Sequence, residues 1–528
     1  MLKLLVTTIS GNYKSESTFL YRWFAISLCI HLLVSWFSLG FYHYDEHFQI
    51  LEFAGYKVGH SPASALPWEF ITKIRSAFQP LIVVIILKFL KLFQIDNPFL
   101  AATILRVISA ILGWISSVYV SIAAMYYLPN NWFRKWFVIL SSTLSIIFFI
   151  HVRFSSESWS GSLAFLGMAI ILLRITKSDE YKNKNLSNIL FFSGFLFGLS
   201  YLCRVQSAFL YPGIFLWLFF MVRLPTIKFI WLIIGILVAL LLGVVIDHWF
   251  YGIWVNTAFR YFYINIILGA AANFGTEPWW WYIKVLLLDG FWPLQLIMLI
   301  LCGIAILTNK KNPFVWISVP FLLVHFLVSH KEMRFLFPLI DALPILIFLG
   351  INRIVALPKV WEKVNLQTGK KIISILLIIL IIYNSVLIIN LCRWPLASYL
   401  YPMKYIYLNT PAPTDVIINE ESLDLTINGR LKLNYYRRPD TRFVKIINLD
   451  SMRDYMAVNK RPVLLMLSRR GFDAEKSFPA LMPYLTPVYY QYPQWLKMVD
   501  INHWTSRTSF WRVYRVDPTL GNQKKNNN

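Results

Sequence analysis

Long apolar runs recur along this chain, near 22–41, 100–127, 136–151, 158–174, 187–203, 207–222, 229–250, 285–308, 313–329, 335–352 and 372–391. A helix needs about 20 predominantly apolar residues to cross the hydrocarbon core of a bilayer, and these runs approach or exceed that length. A soluble protein could not hide them. Hydrophobic cores stop growing at roughly 250–300 residues, whereas 57% of these 528 residues are hydrophobic and only 14% are charged. Mean hydropathy is +0.56. The sequence therefore predicts an all-α polytopic membrane protein with about eleven transmembrane helices.

Charge distribution orients the spans. The net charge of +24 would suggest nucleic acid in a soluble chain; here Lys and Arg crowd alternate short loops, as the positive-inside rule requires, and no nucleic-acid partner is expected. With the N-terminus inside and 80–95 not crossing, the inner loops hold Arg134, Lys135, Arg174, Lys177, Lys182, Lys184, Arg223, Lys228, Lys310, Lys311, Arg353, Lys359, Lys363, Lys370 and Lys371. The outer loops hold chiefly Arg153, Arg204, Arg260, Lys284, Lys331 and Arg334. A crossing at 80–95 would reverse that bias, so this segment is expected to lie in or along the outer interface as an amphipathic or re-entrant helix. Lys3, Lys14 and Arg22 ahead of the first apolar run predict a signal anchor.

The resulting plan is a cytoplasmic N-terminus (1–21), a transmembrane domain (22–391) with a long first outer loop (42–98), a small extracytoplasmic α/β domain (392–521) and a disordered tail (522–528). Strand-like runs at Val416–Asn419, Phe443–Ile447 and Pro462–Leu467 support the α/β domain. The four cysteines have no metal-ligand spacing.

Two polar clusters stand out at the outer surface. The first outer loop opens with His43-Tyr44-Asp45-Glu46-His47-Phe48-Gln49. An adjacent Asp–Glu pair beside histidines offers a general base and groups for hydroxyls or a metal; capping of the following helix is the simpler use of the same residues. The second cluster is His330-Lys331-Glu332-Met333-Arg334-Phe335. Arg binds phosphate bidentately and Lys as a point charge, and cations on this side run against the positive-inside bias. Weaker candidates on the same face are Glu157, Arg204 and the aromatic run ending in Trp280, where an interfacial belt is the default.

These motifs resemble the glycosyltransferase family 22 mannosyltransferases of the GT-C class, which include the GPI and Alg mannosyltransferases. The family's first-loop His-Pro-Asp-Glu-aromatic-aromatic-Gln pattern is matched from His43 to Gln49, with Tyr44 in place of Pro and His47 in place of an aromatic. Its His-Lys-Glu-x-Arg-Phe motif is matched in full at 330–335. Asp247-His248-Trp249-Phe250-Tyr251-Gly252, Asn273 to Tyr282, Trp68-Glu69 and Arg75-Ser76 are similar to the GPI mannosyltransferase 3 subgroup.

The resemblance implies inverting transfer of a mannose-type sugar from a polyprenyl- or dolichyl-phosphate-sugar donor to a lipid-linked glycan acceptor, on the outer (lumenal or periplasmic) side. Asp45 would act as base and Glu46 would orient it or the acceptor. His330, Lys331 and Arg334 would hold the carrier phosphate, with Glu332 pairing those cations. His43, His47, Gln49, Trp68, Arg75, Glu157, Arg204 and Trp280 are candidates for substrate contact. No cofactor is required, although a divalent metal is possible. The competing readings are a lipid-linked-sugar flippase and a GT-C transferase of another sugar. The Lys-, Asn- and Ile-rich composition suits a bacterial cytoplasmic membrane, with the endoplasmic reticulum as the alternative.

Overall fold

The computed structural model describes residues 16–175, 186–289, 291–356, 366–393, 397–411, 413–418, 426–427, 431–446, 448–471, 479–499 and 503–522. Lys3, Lys14, Lys177, Lys182, Lys184, Lys359, Lys363 and the tail from 523 lie outside them. The chain divides into two compact units.

The first unit comprises Met1–Ser38, Trp68–Ile86 and Ala101–Arg393 and holds the membrane helices. Among the described residues, seven helices are long and apolar enough to cross: Ser17–Phe37, Pro98–Met125, Ser156–Ile175, Leu186–Cys203, Thr226–Tyr251, Met333–Val355 and Gln367–Cys392. Counting each of two bent pairs as one span gives nine, short of the expected eleven. The shortfall has local causes. Trp292–Thr308 and Pro313–Leu327 are turned 112° from each other, at a break where the Asn312 side chain caps the second helix and Pro313 opens it. The expected span at 136–151 is two short helices, Asn131–Ser141 and Ser145–His151, bent by 48°. Asn384 Oδ1 accepts from the Ser145 backbone N–H at 2.8 Å and from its hydroxyl at 2.7 Å, satisfying the restarted helix. The 207–222 run becomes a 3₁₀ turn, Val205–Leu210, before helix Tyr211–Phe220. Segment 80–95 forms helix Phe78–Leu92; fifteen residues reach only about 22 Å, less than the hydrocarbon thickness of about 30 Å.

Small residues bring the helices close. A Cβ on Gly194 would lie 2.1 Å from the Leu232 carbonyl oxygen, and one on Gly235 2.1 Å from that of Phe191, so Leu186–Cys203 and Thr226–Tyr251 meet backbone to backbone. The interior also buries polar groups. Asp341 accepts from Ser116 at 2.6 Å and Ser117 at 2.8 Å. His151 Nε2 lies 3.5 Å from Asp341, and its Nδ1 lies 3.3 Å from His31 Nε2.

The second unit comprises Leu39–Pro67, Leu87–Leu100 and Trp394–Asn528. Its five-stranded sheet contains β1 (Thr414–Ile418), β2 (Thr441–Lys445), β3 (Val463–Arg470), β4 (Leu485–Tyr490) and β5 (Ser509–Val516), in the order 2-1-3-5-4. β1 is parallel to β2 and β3; β5 is antiparallel to β3 and β4. β3 carries six consecutive buried residues, Val463 to Ser468, as a central strand covered on both faces does. The three strand-like runs seen in the sequence fall on β1, β2 and β3. Within this unit Gly40, at φ +98°, leaves room for the Ala397 backbone, whose nitrogen lies 2.8 Å from where a Cβ would sit.

Candidate active site

In the first unit a buried ion network joins three segments distant in sequence. Glu157 opens the helix Ser156–Ile175, Arg204 follows the helix Leu186–Cys203, and Arg334 lies in the 3₁₀ turns that begin at Met333. Glu157 Oε1 lies 2.8 Å from Arg204 Nη1 and 3.1 Å from Arg334 Nη1, an ion pair to both. Glu157 Oε2 accepts from Ser156, whose hydroxyl also accepts from Arg204 at 3.2 Å. Both guanidiniums lie against the Phe335 ring, at 4.8 and 5.5 Å from its centroid. Burial lowers the Arg204 pKa; Glu157 opposes the shift, while Arg334 and Arg75 add to it.

Glu332 bridges the network to His330, contacting Arg334 Nε through one oxygen and His330 Nε2 at 3.0 Å through the other. His330 Nδ1 lies 3.0 Å from the Gly275 carbonyl. A carbonyl and a carboxylate both only accept, so both ring nitrogens must carry protons to make these bonds. The imidazolium form satisfies both contacts, and the His330 pKa is raised, first by the Glu332 hydrogen bond. Lys331 is buried and donates to the Val328 carbonyl; burial lowers its pKa, opposed by Glu277. Trp68 stacks on Phe274 at 5.9 Å, and Phe274 lies 6.2 Å from His330.

Arg75 reaches the network from the turn 72–77, its guanidinium 5.4 Å from the Tyr261 ring centroid. That turn is bonded to the C-terminal end of the helix Thr226–Tyr251 and the segment after it. Asp247 accepts from Ala77 N–H at 2.6 Å, Ser76 at 3.1 Å and Thr257 at 2.8 Å. The Tyr251 phenol donates to the Arg75 carbonyl at 2.7 Å, and Arg260 to that of Thr72 at 3.1 Å.

The acidic motif lies in the second unit. His43 caps the short helix Tyr44–Glu46: its Nδ1 accepts from Asp45 N–H at 3.2 Å, and Glu46 accepts from His43 N–H at 3.3 Å. This is a capping box. Capping and acidity are therefore combined, with Glu46 buried in the cap and Asp45 half-buried. The next turn, His47–Leu51, is π-helical. His47 is fully buried, with Nε2 2.8 Å from Glu52. Its ring stacks on two protein rings, Phe41 at 5.2 Å and Tyr436 at 5.5 Å. Gln49 is buried on the same turn. Trp280 is exposed beside Lys284.

Sequence reasoning passed over Glu52 and the role of Asp247, although Asp247 falls in a quoted motif; a carboxylate within or beside an apolar run is the signal that marks both. Among the described residues, no group of three or more His, Cys, Asp or Glu side chains has the geometry to hold a metal ion.

A polytopic helical bundle joined to a small sheet domain is the architecture of GT-C membrane glycosyltransferases. In fold the chain is similar to ArnT from Cupriavidus metallidurans, solved with undecaprenyl phosphate bound, at a TM-score of 0.51 and 12% identity, covering 96% of this chain and 100% of that one. By sequence it belongs to the Alg9-like mannosyltransferase family, whose model matches residues 22–403. GPI mannosyltransferase 3 of Candida albicans is 25% identical over 329 residues, 62% of this chain and 63% of the relative. Mannosyltransferase APTG1 of Arabidopsis thaliana is 26% identical, covering 62% and 58%. Human GPI alpha-1,2-mannosyltransferase 3 is 26% identical, covering 56% and 51%. The chain thus spans about half to three fifths of the length of these relatives.

Proposed function

We propose that this protein is an inverting mannosyltransferase that moves mannose from a dolichyl- or polyprenyl-phosphate-mannose donor to a lipid-linked glycan on the lumenal side of its membrane. The observation that carries this reading is the pair of buried guanidiniums sharing one oxygen of Glu157. Two like charges on one acceptor repel, and a dianionic phosphate is the ligand that relieves them. Lys331, and His330 in its protonated form, which the Glu332 contact favours, add positive charge to the same cluster.

Asp45 takes the proton of the acceptor hydroxyl as its oxygen bonds to the anomeric carbon. The bond from that carbon to the phosphate oxygen breaks, and the carrier phosphate leaves with the electron pair. His330, Lys331, Arg204 and Arg334 stabilise the charge that develops on it. One carboxylate suffices because the leaving group needs no proton, unlike the paired carboxylates of most glycosidases. No metal is required in this scheme, and full activity in chelator is the expected result. Relatives named for GPI mannosylation support a GPI precursor as the acceptor. Their yeast, plant and animal sources favour the endoplasmic reticulum over the bacterial membrane suggested by composition.

The test is transfer of radiolabelled mannose from synthetic polyprenyl-phosphate-mannose to mannosyl-lipid acceptors by purified protein, with Asp45→Asn alongside. Transfer that the variant loses supports the reading. An Asp45→Asn variant as active as wild type removes Asp45 as the base. No transfer, with lipid-linked sugar instead crossing the bilayer in vesicles, replaces the enzyme with a flippase.

A further inference from the structure

The C-terminal region lies mostly beyond the family match, which ends at residue 403, and neither the family nor the mechanism gives it a task. One contact within the second unit does. The Glu52 carboxylate is fully buried and joins three pieces of chain. Its Oε1 lies 2.8 Å from His47 Nε2 and accepts the Tyr435 backbone N–H at 2.9 Å. Its Oε2 accepts from the Ser61 hydroxyl. Tyr435 is 383 residues from Glu52 in sequence.

The next residue extends the junction. Tyr436 stacks on His47 at a 17° interplanar angle, while Phe41 stacks on His47 at 27°. Phe99 packs on Tyr436 with centroids 4.7 Å apart. The turn bearing both tyrosines is tied to the sheet domain. Arg437 closes it by donating its N–H to Asn434 at 3.0 Å, and its guanidinium lies 4.5 Å from the ring of Phe443 on β2. Glu52 counters the lowering of the Arg437 pKa by burial, so Arg437 lies in the field of the same carboxylate. Arg438 donates to the Thr410 carbonyl at 2.8 Å, just before β1.

His47 follows the Asp45-Glu46 pair directly and opens the π-turn, so clamping its ring fixes the backbone from which Asp45 projects. Single-turn π-bulges are often found at functional sites, and this one is held by what packs around His47. Here those surroundings include the C-terminal domain. We propose that this domain is part of the catalytic apparatus. Glu52 and the Tyr435–Tyr436 turn are positioning residues that hold His47, and through it the orientation of Asp45. His47 replaces the aromatic of the family pattern because it serves both roles there, a flat ring for the stack and a donor for Glu52. The inference rests on Asp45 being the base.

The test compares full-length Glu52→Ala, Glu52→Gln, His47→Phe and Tyr436→Ala with wild type, each also in the Asp45→Asn background. Steady-state transfer is read together with hydrogen–deuterium exchange. Glu52→Ala and Tyr436→Ala are expected to lower kcat by about 100-fold, the cost of a misplacement near 1 Å, with donor KM within about twofold. Glu52→Gln, which still accepts from Tyr435, and His47→Phe, which keeps the stack, should retain most of kcat. In the Asp45→Asn background none of the four should lower the residual rate further. Exchange should quicken at residues 43–52 while β3 and β5 stay protected. Equal losses of kcat in both backgrounds overturn the positioning role, as does unchanged exchange at 43–52. Wild-type kcat in Glu52→Ala and Tyr436→Ala overturns it too. If wild type transfers no mannose at all, the enzymatic reading fails and takes this role with it, an outcome distinct from the other three.

Discussion

The Glu157 bridge makes a prediction whose sign is unusual for a buried ion pair. Arg204 Nη1 and Arg334 Nη1 lie 2.8 and 3.1 Å from the same oxygen, so they are no more than about 5.9 Å apart. Two unit charges at that separation repel by about 2.8 kcal/mol at an effective dielectric of 20. Removing one member of a buried pair costs about 3–5 kcal/mol, because a charge is left uncompensated. Glu157→Gln keeps the shape of the side chain and removes only its charge. It should therefore destabilise the protein by about that amount, exposing the guanidinium repulsion. Adding Arg204→Met to Glu157→Gln removes one of the repelling charges, so the double variant should be more stable than Glu157→Gln by about 2–3 kcal/mol. Independent contributions would make it less stable.

Thermal unfolding of purified protein in detergent, followed by light scattering and intrinsic fluorescence, reads the order of the three midpoints. The expected order is wild type, then the double variant, then Glu157→Gln. A short-chain polyprenyl phosphate should raise the midpoint of Glu157→Gln more than that of wild type, since it supplies the missing anion. If the double variant unfolds below Glu157→Gln, the two guanidiniums are not coupled through Glu157 and the phosphate argument loses its footing.

Three further predictions follow from the same geometry. The raised pKa of His330 means that its protonated form is favoured by the fold. Its contribution to donor binding should be full below the ordinary value of about 6.5 and lost as pH rises through the raised one; donor KM against pH should climb for wild type and be flat for His330→Gln. Asp247→Ala releases the turn that carries Arg75, and should raise donor KM about tenfold, equivalent to one hydrogen bond to a charged group, with little further change on adding Arg75→Ala. Asp341→Leu strands the buried partners Ser116, Ser117 and His151 and should cost about 1–3 kcal/mol in thermal unfolding, whereas Asp341→Asn should cost less.

What the sequence made legible was set by how local each interaction is. The His330–Phe335 motif announces itself because its charges sit within six residues at the end of an apolar run, and Glu332 is in reach of both His330 and Arg334 by chain proximity alone. Glu157 and Arg204 could be named one at a time as outward-facing charges. Their meeting on one carboxylate oxygen could not, since it depends on which helices pack. The exact span number was not legible for a related reason. Hydropathy counts apolar residues without regard to direction, so it cannot register the 112° turn at Asn309–Asn312 or the break that Asn384 satisfies at Ser145.

His47 shows the same limit most sharply. Next to an acidic pair in a long outer loop, a histidine reads as a ligand-facing group, because the pattern supplies chemistry but no partner. Its acceptor is only five residues away, yet nothing local reveals that Glu52 also accepts an N–H from position 435. Once that bond is in view, the departure of His47 from the family's aromatic has a local partner. A phenyl ring could stack on Phe41 and Tyr436, but it could not donate to the Glu52 carboxylate. Glu52 would keep Tyr435 and Ser61 as donors but lose the third, a cost for a fully buried carboxylate. The histidine is therefore tied to the presence of Glu52 at this position, and Glu52 in turn to the backbone of the Tyr435 turn.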